Sequence, residues 1–104
     1  MIQWKENNTA YLEAKAYVEN KESLFSNLKE HQGFDLILNC ETYLPKIEAL
    51  ETLVLHQQNE GRCLVLILST ELSDHFPSDW VTVPTKTEAL DFISFEQMQR
   101  DLGF

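Results

Sequence analysis

The chain is poor in the residues and patterns that mark several classes of protein. It has three glycines, three prolines and two cysteines in 104 residues, and it shows no internal repeat, low-complexity tract or Gly/Ser-rich linker. Its longest apolar run, Cys63 to Leu68, is far shorter than the roughly 20 residues of a transmembrane helix. Polar residues follow the first five residues, where a signal peptide would carry an apolar stretch. These features predict a cytoplasmic protein, with Cys40 and Cys63 as buried hydrophobes in a reducing compartment.

Basic residues are also scarce. Eight Lys/Arg stand against 17 Asp/Glu, which gives a formal net charge of −9. Nucleic acids and anionic membranes bind proteins through Lys and Arg, so neither is an expected partner. Apolar residues make up 43% of the chain, enough for a folded core, and the length suits a single domain over residues 1–104.

The N-terminal residues contain an ambiguous segment. Ile2 to Lys5 predicts a short strand, followed by a turn at Glu6–Asn8, where asparagine tolerates a positive φ. Alternation over Thr9 to Ala16 predicts a half-buried strand. The same residue types favour helices, so a single helix from Thr9 to His31 is the alternative.

A helix is predicted to follow this strand. It begins near Asn20, whose side chain suits the capping of free backbone N–H groups. Leu24, Phe25 and Leu28 form its buried stripe. Gly33 suits the end of this helix in the left-handed conformation.

Two buried strands flank a second helix in the middle of the chain. The strands are Phe34–Cys40 and Arg62–Leu68. The latter is a continuous apolar run, typical of a central parallel strand that is covered on both faces. Pro45 marks the start of the helix between them, which runs to about Asn59. Its inner face is expected to carry Ile47, Leu50 and Val54.

A loop, a strand and a capped helix are predicted next. Ser69 to Asp79 is polar, and Trp80 to Val83 reads as a short strand, because the proline that follows keeps its last residue extended. Thr85 to Glu88 has the form of a capping box. The helix that it opens is expected to bury Ala89, Leu90 and Ile93.

The last residues predict a break in this helix. Ser94 to Gln97 repeats the capping-box pattern. The apolar residues after it form a stripe that is rotated relative to the preceding one. We therefore predict a kink near Ser94 and a short terminal helix over 95–102 that ends at Gly103.

The order of these elements resembles the STAS domain, the fold of bacterial anti-sigma factor antagonists. Nearly the whole chain takes part in this resemblance. Within the C-terminal third, Val81–Thr85, Glu88-Ala89 and Arg100–Phe104 are similar to a group of small bacterial STAS-like proteins that are often labelled ribonuclease Z. The resemblance implies an α/β fold with a mixed, mainly parallel sheet of four to five strands, an N-terminal hairpin and three to four helices.

The resemblance implies a phosphorylation switch, but this chain departs from the family pattern at the residues that would carry it. Anti-sigma factor antagonists have a phosphorylatable Ser or Thr at the start of the helix after the central strand, commonly in Asp-Ser-Ser-Gly. The corresponding residues, Leu44–Ile47, have no hydroxyl group. Thr42 is the nearest candidate phosphoacceptor, and its alternative role is that of a turn residue.

The ribonuclease Z label does not fit the chemistry of this chain. True ribonuclease Z resembles metallo-β-lactamases, whose two metals need a His-x-His-x-Asp-His cluster. The histidines here stand apart, at His31, His56 and His75. His31 is expected to face a helix end or solvent, and His56 to be solvated. We expect no catalytic residue, no metal and no cofactor.

Two sets of polar residues near the central strand are weaker candidates for a metal or ligand site. Asp74-His75 and Asp79 share one loop but lack a third spaced metal ligand. Ser69-Thr70 follows the central strand, where α/β sheets often bind ligands. Its expected role is to cap a loop.

The C-terminal residues carry the functional hypothesis. Large apolar side chains there either fold back onto the domain or cover a partner; they are Phe95, Met98, Leu102 and Phe104. The acidic residues around them form either a solvated face or a surface that selects a basic partner.

Three functions follow as hypotheses. The first is a non-enzymatic STAS-like module that docks to a regulatory protein or to itself. The second is an accessory partner of ribonuclease Z that binds the nuclease and does not cut RNA. The third is a small-ligand sensor that uses the loop Ser69–Asp79.

Overall fold

Five strands and four helices follow a hairpin-first order along the chain in the computed structural model, which describes residues 2–103. The strands are β1 (Gln3–Lys5), β2 (Thr9–Glu13), β3 (Asp35–Asn39), β4 (Leu64–Ile67) and β5 (Val81–Val83). The helices are α1 (Ala14–Glu19), α2 (Lys21–Lys29), α3 (Ile47–Asn59) and α4 (Lys86–Asp101), and a 3-10 helix spans Thr70–His75. The predicted α/β class is confirmed.

The five strands form one mixed sheet in the order β1-β2-β3-β4-β5. β1 and β2 are an antiparallel hairpin, and every later strand is parallel to its neighbour. The hairpin turn uses Asn7 and Asn8 at φ values of 60° and 54°, as their tolerance of positive φ predicts. β4 lies between two parallel strands, as expected for its apolar run, and β3 is the middle strand.

Side chains alternate between the two faces of the sheet and meet different helices. Leu36 and Leu38 of β3 belong to a core that also contains residues of α1, α2 and α3. Ile37, between them, belongs to a second core with Ala89 and Ile93 of α4. One face is therefore covered by three helices and the other by α4.

The ambiguous segment forms a strand and then two helices. Thr9–Glu13 pairs with β1 and with β3, so the predicted strand is confirmed and the alternative of one helix over 9–31 is wrong. The strand ends at Glu13, earlier than predicted, and α1 begins at Ala14. Helix propensity prevails where the sheet no longer provides pairing. α2 then starts beside Asn20, as predicted, but the predicted side-chain cap of α2 is not formed; the Asn20 side-chain amide donates to the carbonyl of Ala16.

Gly33 has the predicted left-handed conformation but does not end the helix. α2 ends at Lys29, and Gly33, at φ +66°, leads into β3. A Cβ at this position would lie 2.5 Å from Nη2 of Arg62. Backbone conformation and the close approach of the Arg62 side chain therefore both favour glycine here.

α3 begins at Ile47, two residues later than the proline-based prediction. Its fully buried residues are Leu50, Leu53 and Gln57, whereas the predicted Ile47 and Val54 are half-buried. The amide of Gln57 is accommodated because its Nε2 donates to the carbonyls of Phe34 and Cys63, both at 2.9 Å.

α4 is one unbroken helix of 16 residues. The predicted break near Ser94 and the separate helix over 95–102 are therefore wrong. Ala89 and Ile93 are buried as predicted, but Leu90 is exposed. Beyond Ile93 the face toward the sheet continues with polar residues, Gln97 and Arg100. One continuous helix can therefore place both its apolar and its polar half against the sheet.

Candidate interaction surface

The outward face of α4, defined here as Phe95, Met98 and Leu102, presents large apolar side chains to solvent. Their exposed fractions are 55%, 57% and 65%. The spacing of three and four residues places them on one side of the helix, opposite Ala89 and Ile93. Of the two sequence-based alternatives, folding back onto the domain is wrong for these three residues. The fourth predicted interface residue, Phe104, lies outside the described residues.

The opposite face of α4 is held by a buried carboxylate. Asp35, at the start of β3, is fully buried. Nη2 of Arg100 donates to both of its oxygens, at 2.9 and 2.8 Å. Nε2 of Gln97 donates to Oδ2 at 2.8 Å, and the backbone N–H of Cys63 donates to Oδ1 at 2.8 Å. We call Asp35, Gln97 and Arg100 the polar clasp.

The polar clasp fixes the C-terminal half of α4 against the sheet. Burying a carboxylate destabilises the folded protein unless hydrogen-bond donors surround it. Asp35 therefore strongly favours the helix position in which Gln97 and Arg100 can donate to it. Gln97 also donates to the carbonyl of Asn7 at 2.9 Å, which ties the helix to the hairpin turn. The outward face is thus displayed on a helix whose other side is anchored.

Sequence reasoning missed the polar clasp. The available signal was spacing, because Ala89, Ile93, Gln97 and Arg100 follow one another at four, four and three residues and thus share one helix face. Asp35 was the other signal, as a charged residue next to the apolar run of β3. Apolar periodicity alone does not reveal such a face, since its second half is polar.

Carboxylates surround the outward face. Glu88, Asp91 and Asp101 of α4 are exposed. The basic residues of the helix are engaged elsewhere: Arg100 pairs with Asp35, and Nζ of Lys86 lies 4.4 Å from the centre of the Tyr11 ring. The apolar residues therefore have an acidic rim, which favours a basic partner.

Thr42, the candidate phosphoacceptor, lies in the exposed loop between β3 and α3. α3 begins five residues later, and Lys46 precedes its first turn without a side-chain cap. Thr42 is thus accessible but is not at the start of the helix, where the family pattern has its hydroxyl group. Its phosphorylation stays a prediction.

The Ser69–Asp79 loop is partly helical. Oγ of Ser69 accepts a hydrogen bond from the backbone N–H of Glu71 at 3.4 Å, so it caps the 3-10 helix as predicted. Phe76 is buried in the larger core. Ser69 and Thr70 line a surface cavity with Cys40 and Glu41 at the carboxyl ends of β3 and β4, and ligand binding there stays a prediction.

The three histidines occupy separate sites. The His31 ring is exposed and lies 4.1 Å from the Trp4 ring. His56 is half-buried, so its predicted solvation is wrong. Its ring packs against two aromatic rings, with 5.7 Å to the centre of Phe34 and 5.6 Å to that of Phe25. Nε2 of His75 lies 3.0 Å from the carbonyl of Pro45. Among residues 2–103 no three His, Cys, Asp or Glu side chains form a possible metal site.

Both cysteines are free. Burial raises the pKa of the Cys40 thiol to about 12 and that of the Cys63 thiol to about 11, so both are protonated near neutral pH. Cys40 is buried as predicted, whereas Cys63 is only half-buried. Protonated thiols are weak nucleophiles and weak metal ligands, which leaves them a packing role.

A hydrogen-bonded group at the carboxyl ends of β2 and β3 was also missed. Nδ2 of Asn39 donates to the Tyr11 hydroxyl at 2.7 Å, and that hydroxyl donates to Oε2 of Glu13 at 2.8 Å. Burial raises the pKa of Tyr11, so the phenol keeps its proton near neutral pH. The group joins two strand ends and provides no activated nucleophile.

No helix within residues 2–103 combines the length and apolar character needed to cross a membrane. Comparison of the chain with family models, with curated proteins and with solved structures found no match.

Proposed function

We propose that this chain is a non-enzymatic, STAS-like regulatory module that docks to a protein partner through the outward face of α4. The observation that supports this most strongly is the exposure of Phe95, Met98 and Leu102 on an anchored helix. Contiguous apolar side chains of this size are a usual mark of a protein–protein interface. Phe104, the fourth predicted interface residue, follows these three in the sequence and stays a prediction.

The surface has the composition of an interface centre. Full burial of one large apolar side chain stabilises by roughly 1.5–3 kcal/mol, so three of them supply most of what a specific but reversible contact requires. The helix is fixed by the polar clasp, so little ordering is needed on binding. The acidic rim selects a partner with an apolar groove bordered by Lys and Arg.

The order of elements supports the STAS-like part of the proposal. An antiparallel N-terminal hairpin, a mainly parallel sheet and a C-terminal helix match the arrangement that the resemblance implies. Function in bacterial signalling, with Thr42 as an optional phosphoacceptor, is proposed on the same resemblance.

The test is a comparison of three proteins in affinity capture and sedimentation. The variant Phe95→Ser/Met98→Gln/Leu102→Gln removes the apolar surface. Leu55→Gln is the control, because Leu55 is 57% exposed on α3, away from α4. We expect the triple variant to lose a basic partner, or self-association, that the wild type and the control retain.

Two results would contradict the proposal. One is retention of every partner by the triple variant. The other is capture that does not weaken between low and high salt, because the acidic rim predicts an ionic contribution that salt screens.

A further inference from the structure

Residues of α3 and α4, which lie on opposite faces of the sheet, line one cavity beside its short edge strand. β5 begins at Val81, paired with Val65, so pairing stops before Leu64 of β4. Trp80, the residue before β5, is not paired in the sheet, and its backbone N–H donates to the carbonyl of Pro77 at 3.0 Å. A cavity of about 210 Å³ occupies this corner between α3 and α4. We call it the edge cavity.

The inner wall of the edge cavity is apolar and aromatic. Val54 and Phe92 face it from the two helices, and Leu64 and Trp80 from the sheet edge. The Trp80 ring is held in place by stacking on Phe76, with 5.4 Å between the ring centres. An apolar cavity of about 150 Å³ accepts benzene. The edge cavity thus has room for one aromatic ring and a short chain.

The charges on the edge cavity are mainly negative. Asp79 and Glu96 line it, and within residues 2–103 the ion pair described involves neither of them. Arg62 also lines it, but its guanidinium packs against Gly33 on the β3 side, where a glycine Cβ would lie 2.5 Å from Nη2. Carboxylates beside aromatic faces favour a cation.

The other polar groups of the edge cavity are already used or uncharged. Nε2 of Gln57 donates to two backbone carbonyls. The Cys63 thiol has a pKa raised to about 11, with burial as the main cause, and is therefore neutral. A bound molecule thus meets two carboxylates and one guanidinium, two aromatic rings and an apolar floor, so the formal charge of the lining is negative.

We propose that the edge cavity binds a small organic cation, composed of one aromatic ring and a short chain that ends in a primary ammonium. The ring lies between Trp80 and Phe92, and the ammonium group faces Asp79 and Glu96. The proposal is independent of docking through the outward face of α4, because none of the three residues of that face lines the edge cavity.

The test uses 2-phenylethylamine as the probe and the full chain as the receptor. Two compounds with the same ring serve as controls: 2-phenylethanol is neutral, and phenylacetate is an anion. Two-dimensional NMR titration follows the backbone amides and the indole N–H of Trp80. We expect saturable shifts with the amine at a dissociation constant on the order of 1 mM, the range of a ligand this small, and at least tenfold weaker binding of both controls.

Two variants locate the site. Asp79→Asn/Glu96→Gln is expected to weaken amine binding about tenfold and to leave 2-phenylethanol binding unchanged, because only the charge is removed. Val54→Phe fills the edge cavity and is expected to abolish binding. Leu55→Phe, at the exposed neighbouring residue of α3, is its control and is expected to bind normally.

Three results would overturn the proposal. The first is the absence of saturable shifts with the amine. The second is binding of phenylacetate as tight as that of the amine. The third is unchanged amine affinity in Asp79→Asn/Glu96→Gln, a variant at the protein surface that remains informative even where Val54→Phe does not fold.

Discussion

The two faces of the sheet are stabilised in different ways. Within residues 2–103, one face buries a cluster of 15 residues beneath α1, α2 and α3. The other buries a cluster of six beneath α4 and adds the polar clasp. The large core holds its helices by burying apolar surface. This stabilisation grows with the buried area and has no directional preference. The small core needs directed bonds to position its one helix.

The difference originates in the chain path. Parallel neighbours β2, β3, β4 and β5 need crossover connections, and such crossovers are almost always right-handed. Because the strands are ordered along the sheet as in the sequence, all crossovers of the same hand lie on the same face. Only an element after β5 can cover the opposite face, and α4 is that element.

The largest expected effect separates the two cores. Leu36→Ala, at a fully buried position of the large core, should lower the free energy of unfolding by about 3–5 kcal/mol. Ile93→Ala in the small core should cost about 2–3 kcal/mol, because a single covering helix relaxes more easily. Urea unfolding followed by tryptophan fluorescence measures both. An equal or larger loss for Ile93→Ala would mean that the two faces are packed alike.

The polar clasp should give the next largest effect. Arg100→Ala leaves the Asp35 carboxylate buried with fewer donors, which should cost about 2–3 kcal/mol. Gln99→Ala, at the preceding residue, is the control and should change stability by less than about 0.5 kcal/mol. Chemical unfolding of both variants checks this. An unchanged free energy of unfolding in Arg100→Ala would show that the hydrogen bonds from Gln97 and the Cys63 N–H are enough to stabilise the buried Asp35 carboxylate.

The start of α4 should contribute less. Oγ1 of Thr85 accepts from the backbone N–H of Glu88 at 3.1 Å and donates to Oε2 of Glu88 at 3.2 Å. Thr85→Ala should therefore cost about 1 kcal/mol, measured by thermal unfolding. Thr87→Ala, on the same turn, is the control. A loss in Thr87→Ala equal to that in Thr85→Ala would show that the effect does not come from the cap, because alanine is the better helix former and propensity alone predicts no loss.

The outward face of α4 should contribute least to folding. Phe95→Ser and Met98→Gln replace side chains that are mostly in water, so each should change stability by less than about 0.5 kcal/mol. Thermal unfolding at a concentration where the protein is monomeric checks this. A loss above about 1 kcal/mol would mean that these residues pack on their own domain.

Much of the large-core face could be predicted from the sequence, because its signals are local. The alternation in Thr9–Glu13, the apolar runs of β3 and β4, and the Asn7-Asn8 turn each identify an element within a few residues. α1 was missed because the alternating pattern continues from Thr9 to Ala16, whereas the pairing of β2 with β3 ends at Glu13. The length of neighbouring strands decided this, and no local pattern encodes it.

The course of α4 could not be predicted for a different reason. The apolar residues after Ser94 indicated a second buried stripe, so a break was expected. The structure places those residues outward and Gln97 and Arg100 inward, because both side chains donate to Asp35. Asp35 lies at the start of β3, 65 residues from Arg100 in sequence. A polar contact over that distance has no signature in periodicity. The structure exposes Phe95, Met98 and Leu102, and their role as an interface stays a prediction; the break predicted in the helix that carries them was wrong.

The strand order has a consequence for folding kinetics. Each of β1 to β5 pairs with its sequence neighbour, so the hairpin and the successive crossover units require only short loop closures. The clasp, in contrast, joins residues from distant parts of the chain. We therefore expect a folding nucleus in the large-core face and low φ-values throughout α4, so that clasp mutations accelerate unfolding and leave the folding rate nearly unchanged.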